Sequence, residues 1–273
     1  MIHHAANTAR AHTPGLIRPA SRLSQYKLLS TEARSEHALR EFTRICSQRY
    51  GTLDTTYGEL YEVYDRQPRN PIRMPVSQTK LPIGFHTDSS KRDTLPDIVA
   101  LTCVHNAEGG DTLLADAESA FHILKSRHPW TLDILSRDFP RAIVTPKCKS
   151  TRTNVARNAF PILTTEAGGQ VLIRYMRTWI ETGAKILGKP LTELELTALD
   201  HLDSALRSSV ILRHHLKPGE CMVFNNRRIV HARTPYRDRP GMRRKLLRVW
   251  INETPSPYMK RSALERSSVF LPN

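Results

Sequence analysis

The sequence predicts a mainly β protein, a sandwich or jelly roll with a few covering helices. Two apolar, β-branched segments, 96–104 (PDIVALTCV) and 111–117 (DTLLADA), are joined by a turn with two glycines, Gly109 and Gly110. Four further strand-like segments follow residue 209, and turn-forming residues separate them. Their sequences are VILRHHL, ECMVF, RRIVHAR and LLRVWI.

Three helical segments interrupt this strand pattern. The spacing of apolar residues between Leu29 and Tyr50 predicts an amphipathic helix, with Gly51 as its stop. Segment 118–137 is predicted to be helical, with a break at Pro129. A capping box, Thr-Glu-Leu-Glu, opens a third helix at Thr192.

Residues 67–76 (QPRNPIRMPV) contain three prolines, Pro68, Pro71 and Pro75. Because proline interrupts both helices and central strands, this segment is predicted to be a loop. Its place just before the polar residues considered below suggests that it acts as a lid.

The chain of 273 residues shows no internal repeat or long linker, so we expect a single domain over residues 28–273 with helical insertions. Residues 1–27 are predicted to be a flexible basic segment. They contain four cations and no acidic residue, a composition shared with organelle transit peptides. Pro14 and Pro19 interrupt any amphipathic helix there, so a solvated tail is the favoured interpretation.

Composition narrows the function classes. A hydrophobic fraction of 39% is typical of a globular protein, and the net charge of +15 leaves nucleic acid, an anionic surface or a small acidic substrate open as partners. No apolar stretch reaches the length of a membrane span. The four cysteines form no CxxC pair, which argues against a structural zinc site and favours reduced thiols in the cytoplasm.

One cluster of residue types indicates metal chemistry. His86 and Asp88 stand two positions apart, so on a strand they face the same side, and His231 lies in another apolar strand segment. Two histidines and one carboxylate form the facial triad of non-haem Fe(II) oxygenases. A His-x-Asp motif alone is weak evidence for a metal site, since such a histidine is more often an ordinary surface residue. Arg244 and Arg248 strengthen it, because both would face one side of a strand and could bind a dicarboxylate.

Four motifs occur in a recognisable order: GFHTDSS with PDIVALTCV, EGGDTLLAD, PGECMVFNNRRIVHARTPY and RRKLLRVWI. On these motifs the sequence resembles the taurine dioxygenase and TfdA-like family of Fe(II)/2-oxoglutarate dioxygenases, including its clavaminate synthase and γ-butyrobetaine hydroxylase branches. The resemblance implies a double-stranded β-helix, the jelly roll of cupin-like proteins. It also implies Fe(II) as cofactor, with 2-oxoglutarate and O2 as co-substrates.

The resemblance further assigns roles to individual residues. It implies that His86, Asp88 and His231 bind iron. Thr112 and Arg248 are expected to hold the distal carboxylate of 2-oxoglutarate, with Arg244 near its proximal carboxylate or the iron-bound oxygen. The family's Asp-Asn-Arg-Arg pattern appears here as residues 225–228, NNRR, and the first asparagine is expected to matter for the turn. Halogenating relatives lack the carboxylate ligand, so Asp88 disfavours halogenation.

The expected reaction is hydroxylation of an unactivated C–H bond in a small polar or carboxylate-bearing metabolite, such as an amino acid, with release of succinate and CO2. Candidate substrate-binding residues are Lys91, Arg92, Arg174 and Tyr175, although solvated charges and core packing compete with that reading. Two alternatives stay open. One is an oxygenase with the same core that acts on nucleic acid or a polypeptide, and the other is a non-catalytic metal-binding cupin-like protein.

Overall fold

The computed structural model describes residues 23, 25–53, 60–67, 75–89, 95–143, 150–166 and 168–253. The strands are β1 Tyr26–Ser30, β2 Thr52–Leu53, β3 Tyr61–Val63, β4 Ile83–His86, β5 Ile98–His105, β6 Glu108–Gly109, β7 Thr112–Asp116, β8 Phe139–Pro140, β9 Ala159–Phe160, β10 Leu163–Thr165, β11 Val171–Ile173, β12 Val210–His214, β13 Glu220–Asn225, β14 Ile229–Arg233, β15 Tyr236–Arg237 and β16 Lys245–Asn252. The helices are α1 Glu36–Gln48, α2 Ala117–Arg127, α3 Trp130–Leu135, α4 Arg152–Arg157, α5 Arg177–Leu187 and α6 Glu193–Ser208.

Two antiparallel sheets form the centre of the fold. The first has the order β1-β13-β5-β16-β2, with β3 also paired to β16, and the second has the order β12-β7-β14-β4. Residues from both sheets share one buried apolar cluster, which includes Leu101, Leu114, Phe224 and Ile229. The predicted mainly β sandwich or jelly roll is therefore confirmed, and its long strands coincide with the six segments predicted from the sequence.

The helices cover the outer faces of the sheets. Helix α1 packs on the first sheet, where the Thr43 hydroxyl donates to the Thr102 hydroxyl oxygen at 2.7 Å. Helices α2, α3 and α6 form a second apolar cluster on the other side. The predicted break at Pro129 separates α2 from α3, and the Thr192 capping box is present at the start of α6.

The N-terminal part differs from the sequence prediction. Residues 26–30 form strand β1 along the edge of β13, whereas the sequence placed the start of a helix at Leu29. The helix begins only at Glu36, because the Ser35 side chain accepts the backbone N–H of Ala38 and caps it there. The first strand therefore also starts two residues before the predicted domain boundary at residue 28.

The proline-rich lid prediction falls largely on residues 68–74, which lie outside the described residues. Pro75 precedes a single 3-10 turn over Val76–Gln78. Cys46, Cys103 and Cys221 are buried free thiols, and Cys148 lies outside the described residues. Within the described residues, no helix combines the length and the apolar character that crossing a membrane requires.

Gly183 gives a stability prediction, because it is a glycine inside a helix that touches another segment's backbone. A Cβ atom at Gly183 would lie 2.7 Å from the Pro140 carbonyl oxygen and 2.9 Å from the Ala142 nitrogen. We expect Gly183→Ala to lower the free energy of unfolding by about 1–3 kcal/mol through overpacking. This loss outweighs the gain of about 1 kcal/mol in helix propensity.

Urea denaturation monitored by circular dichroism measures this change. Lys185→Ala is the control, since Lys185 is exposed on the same helix and should shift the unfolding free energy by less than about 0.5 kcal/mol. A stabilised Gly183→Ala variant would contradict the tight contact between α5 and the 140–142 segment.

Candidate metal centre

Strand pairing brings the three predicted metal ligands together. His86 ends β4, Asp88 follows it by two residues, and His231 lies in β14 directly opposite His86. One ligand atom from each of the three side chains lies within 4.8 Å of the other two. Asp88 Oδ1 is 3.9 Å from the Nε2 atom of each histidine, and all three side chains are buried. The arrangement is compact enough for one ion.

The ionisation of these groups suits a divalent cation. Burial lowers the pKa of both imidazoles, and burial with the neighbouring His86 brings the pKa of His231 to about 3. Burial acts to raise the pKa of Asp88, but Arg248 and the two histidines hold it below its usual value. At neutral pH the site therefore offers two neutral imidazoles and one carboxylate, which are the protonation states that metal binding requires.

Neighbouring side chains fix the orientation of Asp88. The Arg248 Nη1 atom donates to Asp88 Oδ1 at 3.1 Å, and the Trp250 indole nitrogen donates to Oδ2 at 2.7 Å. The Asn226 amide accepts the Asp88 backbone N–H at 2.8 Å and donates to the Asp88 carbonyl oxygen at 3.1 Å. Such partners hold a ligand in place before the metal arrives.

The roles of Trp250 and Asn226 were missed from the sequence. Only their position in the motifs RRKLLRVWI and FNNRRIVHAR marked them out. The neighbouring Asn225 does serve the turn, as predicted, because its side-chain oxygen accepts the backbone N–H of Arg227 at 3.0 Å.

A pocket between the two sheets extends from the histidines. Its wall combines apolar side chains with polar and cationic ones, and these include His86, Leu101, Thr112, His231, Arg233, Arg244, Leu246 and Arg248. Apolar walls with a few placed polar groups are typical of small-molecule sites. The pocket therefore extends from the two histidines of the triad to both arginines singled out from the sequence.

The two arginines lie at opposite ends of this pocket. Arg248 is bonded to Asp88 at the triad, whereas Arg244 donates to Asn106 Oδ1 at 3.2 Å and to the Gly110 carbonyl oxygen at 3.4 Å. Thr112 follows Gly110 by two residues and therefore shares the end at which Arg244 lies. Four residues of strand span about 13 Å, so one residue cannot replace the other.

This placement favours a division of roles different from the one expected from the sequence. The sequence put Arg248 with Thr112 at the distal carboxylate and Arg244 near the iron. Alternation over residues 244–248 indicates only that both side chains face one side. It does not indicate which end of the strand approaches Asp88, because that depends on how the two sheets face each other.

Only part of the predicted substrate contacts can be placed. Lys91 and Arg92 lie outside the described residues. The Arg174 guanidinium stacks 4.0 Å from the ring centre of Phe160. Tyr175 is fully buried, and its hydroxyl donates to Asp203 at 2.7 Å, so its ring does not reach the pocket.

The placement of the Tyr175 side chain therefore favours the competing reading of core packing over the predicted role in substrate binding. Its ring lies in the apolar cluster formed by the helices, and burial raises the pKa of its hydroxyl. Its backbone still serves the site. The Tyr175 carbonyl oxygen accepts the Thr87 N–H at 2.9 Å, beside both triad residues of the first motif.

Comparisons with known proteins agree with this geometry. Residues 26–250 match the family described as taurine catabolism dioxygenase TauD, TfdA. A uridine-5'-phosphate dioxygenase from Streptomyces sp is 28% identical over 88% of this chain and 92% of its own length. Another from Amycolatopsis sp is 32% identical over 57% of this chain, and the match spans 55% of that relative.

A solved structure shares the fold. The non-heme iron oxygenase OrfP, in complex with Fe, succinate and (3S)-hydroxy-L-Arg, superposes with a TM-score of 0.63 at 13% identity, over 84% of this chain and 77% of that one. This likeness supports the predicted jelly roll. The extent of the family match decides membership: the chain belongs to the TauD/TfdA family of Fe(II)- and 2-oxoglutarate-dependent dioxygenases.

Proposed function

We propose that this chain hydroxylates an unactivated C–H bond of a small polar or carboxylate-bearing metabolite, with conversion of 2-oxoglutarate to succinate and CO2. The observation that carries the proposal is the shared pocket. His86 and His231 of the triad and the buried Arg244 all line it, and Asp88 lies beside the two histidines. A metal site and a positively charged arginine in one pocket suit a co-substrate that chelates the metal at one end and has a carboxylate at the other.

Different residues would bind the iron and orient its carboxylate ligand. His86, Asp88 and His231 would hold iron, and Trp250 and Arg248 would keep the Asp88 oxygens in place. When bound, Fe(II) together with 2-oxoglutarate and O2 supplies the oxidising chemistry that attacks the C–H bond.

At the other end of the pocket, Thr112 and Arg244 would bind the distal carboxylate of 2-oxoglutarate. The apolar side chains of Leu101 and Leu246 line the pocket between its ends and keep water away from the reacting centre.

Two substrate classes are proposed, and both carry an acidic group. Amino acids are the first, in keeping with the hydroxyarginine bound to OrfP. Nucleoside monophosphates are the second, because the Streptomyces relative that matches along nearly its whole length is a uridine-5'-phosphate dioxygenase. The net charge of +15 attracts the phosphate of a nucleoside monophosphate.

An anaerobic titration tests this function. Adding Fe(II) and then 2-oxoglutarate to the purified protein is expected to produce the weak visible charge-transfer band of the iron chelate. Amino acids and uridine monophosphate are then added separately, and a shift of the band identifies the class that enters the site. O2 is admitted last, and succinate and the oxidised substrate are measured.

Wild-type protein that gives no band with Fe(II) and 2-oxoglutarate would contradict the proposed function and favour a non-catalytic metal-binding protein. A band that no member of either class shifts would retain the oxygenase and reject both substrate classes.

A further inference from the structure

We propose that Arg233 is a second guanidinium for the distal carboxylate of 2-oxoglutarate, and that together with Arg244 it makes the site select dicarboxylate over monocarboxylate 2-oxo acids. This inference rests on the proposed function and adds a specificity residue to it. Nothing in the sequence motifs separated Arg233 from other strand arginines.

The position of Arg233 follows from strand geometry. It lies two residues after His231 on β14, so both side chains face the pocket, with their Cα atoms about 7 Å apart. In the pairing of β14 with β7, Arg233 stands directly opposite Thr112. The four carbon–carbon bonds between the carboxyl carbons of 2-oxoglutarate, about 1.5 Å each, span about 5 Å when extended. The length of the co-substrate is thus of the same order as the spacing of these two residues along the strand.

The Arg233 side chain is buried and only partly bonded. Its Nη2 atom donates to the carbonyl oxygens of Thr79 at 2.5 Å and Leu81 at 2.6 Å. Its Nε and Nη1 atoms are buried and have no hydrogen-bond partner among the described residues. The donors that remain are thus available for a ligand in the pocket.

Arg244 lies near Arg233 and is likewise buried with a donor, its Nη1 atom, that has no hydrogen-bond partner among the described residues. The two guanidinium carbons lie 4.9 Å and 5.1 Å from the centre of the same Tyr236 ring. Asp65 attracts the Arg233 guanidinium and Asp238 attracts that of Arg244, but within the described residues neither carboxylate forms a salt bridge with them.

Two buried guanidinium groups that lack a direct ion pair are costly, and Asp65 and Asp238 offset this cost only through longer-range attraction. A carboxylate has two oxygens that can accept hydrogen bonds from several donors. Bound between Arg233 and Arg244, it would use the unpartnered donors of both and reduce their repulsion. The arrangement points to an anionic end group at this place, and the wall at the opposite end is already occupied by the Asp88 and Arg248 pair.

The test compares two ligands that differ only in the distal half. Both 2-oxoglutarate and pyruvate carry the 2-oxo acid group that chelates a metal, but only 2-oxoglutarate has a second carboxylate. Their dissociation constants are measured anaerobically by the visible band and by calorimetry on Fe(II)-loaded protein. Arg233→Met is expected to weaken 2-oxoglutarate binding roughly tenfold or more, and pyruvate binding far less.

Arg237→Met is the matched control, because Arg237 is exposed on the neighbouring strand β15 and loses the same charge. It should leave both constants unchanged. Arg233→Lys keeps a cation for the Thr79 and Leu81 carbonyl oxygens but loses the two-pronged donor, so it should lose part of the selectivity. This variant decides the question if Arg233→Met fails to fold.

Equal weakening of both ligands in the Arg233 variants would mean that Arg233 acts only through the 79–81 segment, and would overturn the proposal. So would an unchanged ratio of the two constants. If wild-type protein binds neither ligand in the presence of Fe(II), the proposed function itself fails, which is a different result from an Arg233 variant that behaves as wild type.

Discussion

Replacing His231 with alanine is expected to abolish Fe(II)-dependent consumption of 2-oxoglutarate. The change leaves His86 and Asp88, and two ligands alone hold iron weakly. Since substitution of an outer partner already costs up to about a hundredfold in metal affinity, loss of a ligand should cost at least as much. Metal affinity is measured by anaerobic calorimetry, and turnover by succinate formation.

The fold should survive this substitution, which makes the result interpretable. Burial keeps the His231 imidazole neutral, with a pKa of about 3, so alanine removes no charge that the apoprotein needs. His122→Ala is the control, because His122 is exposed on α2 and away from the triad. A His231→Ala protein that retains stoichiometric iron and turnover would show that another residue completes the site.

The triad could be predicted from the sequence because two kinds of evidence were combined, the alternation of side chains along a strand and the order of the family's motifs. Alternation along a strand placed His86 and Asp88 on one side, and the apolar flanks of His231 placed it in a strand. The distance between these segments is a tertiary property, fixed by the pairing of β14 with β4. Alternation alone could not indicate that His231 lies close to His86 and Asp88, and the order of the family's motifs supplied this information.

The predictions that the structure disfavours or contradicts depended on packing between elements. Tyr175 stands in a polar, cationic stretch that suggests a binding site, yet α6 provides Asp203 as the partner of its hydroxyl. Leu29 continues an apolar helical spacing, yet the open edge of β13 binds residues 26–30 as a strand. Neither partner is visible within the local sequence window.

The opposite placement of Arg244 and Arg248 gives two different expected results. Arg244→Met should raise the dissociation constant of 2-oxoglutarate by about tenfold to a hundredfold and leave the affinity for Fe(II) unchanged, because Arg244 lies at the far end with Thr112. Arg248→Met should lower the affinity for Fe(II) itself by about tenfold to a hundredfold, because it removes a hydrogen bond from Asp88 Oδ1.

Measuring both affinities separately in each variant distinguishes these effects, since 2-oxoglutarate binding is recorded only at saturating metal. Arg243→Met is the control, as Arg243 is exposed beside Arg244 and should change neither constant. If Arg248→Met instead raised only the 2-oxoglutarate constant, the sequence-based assignment would be restored. Under the geometry described, the loss appears first in metal binding, because Trp250 alone would then orient the Asp88 carboxylate.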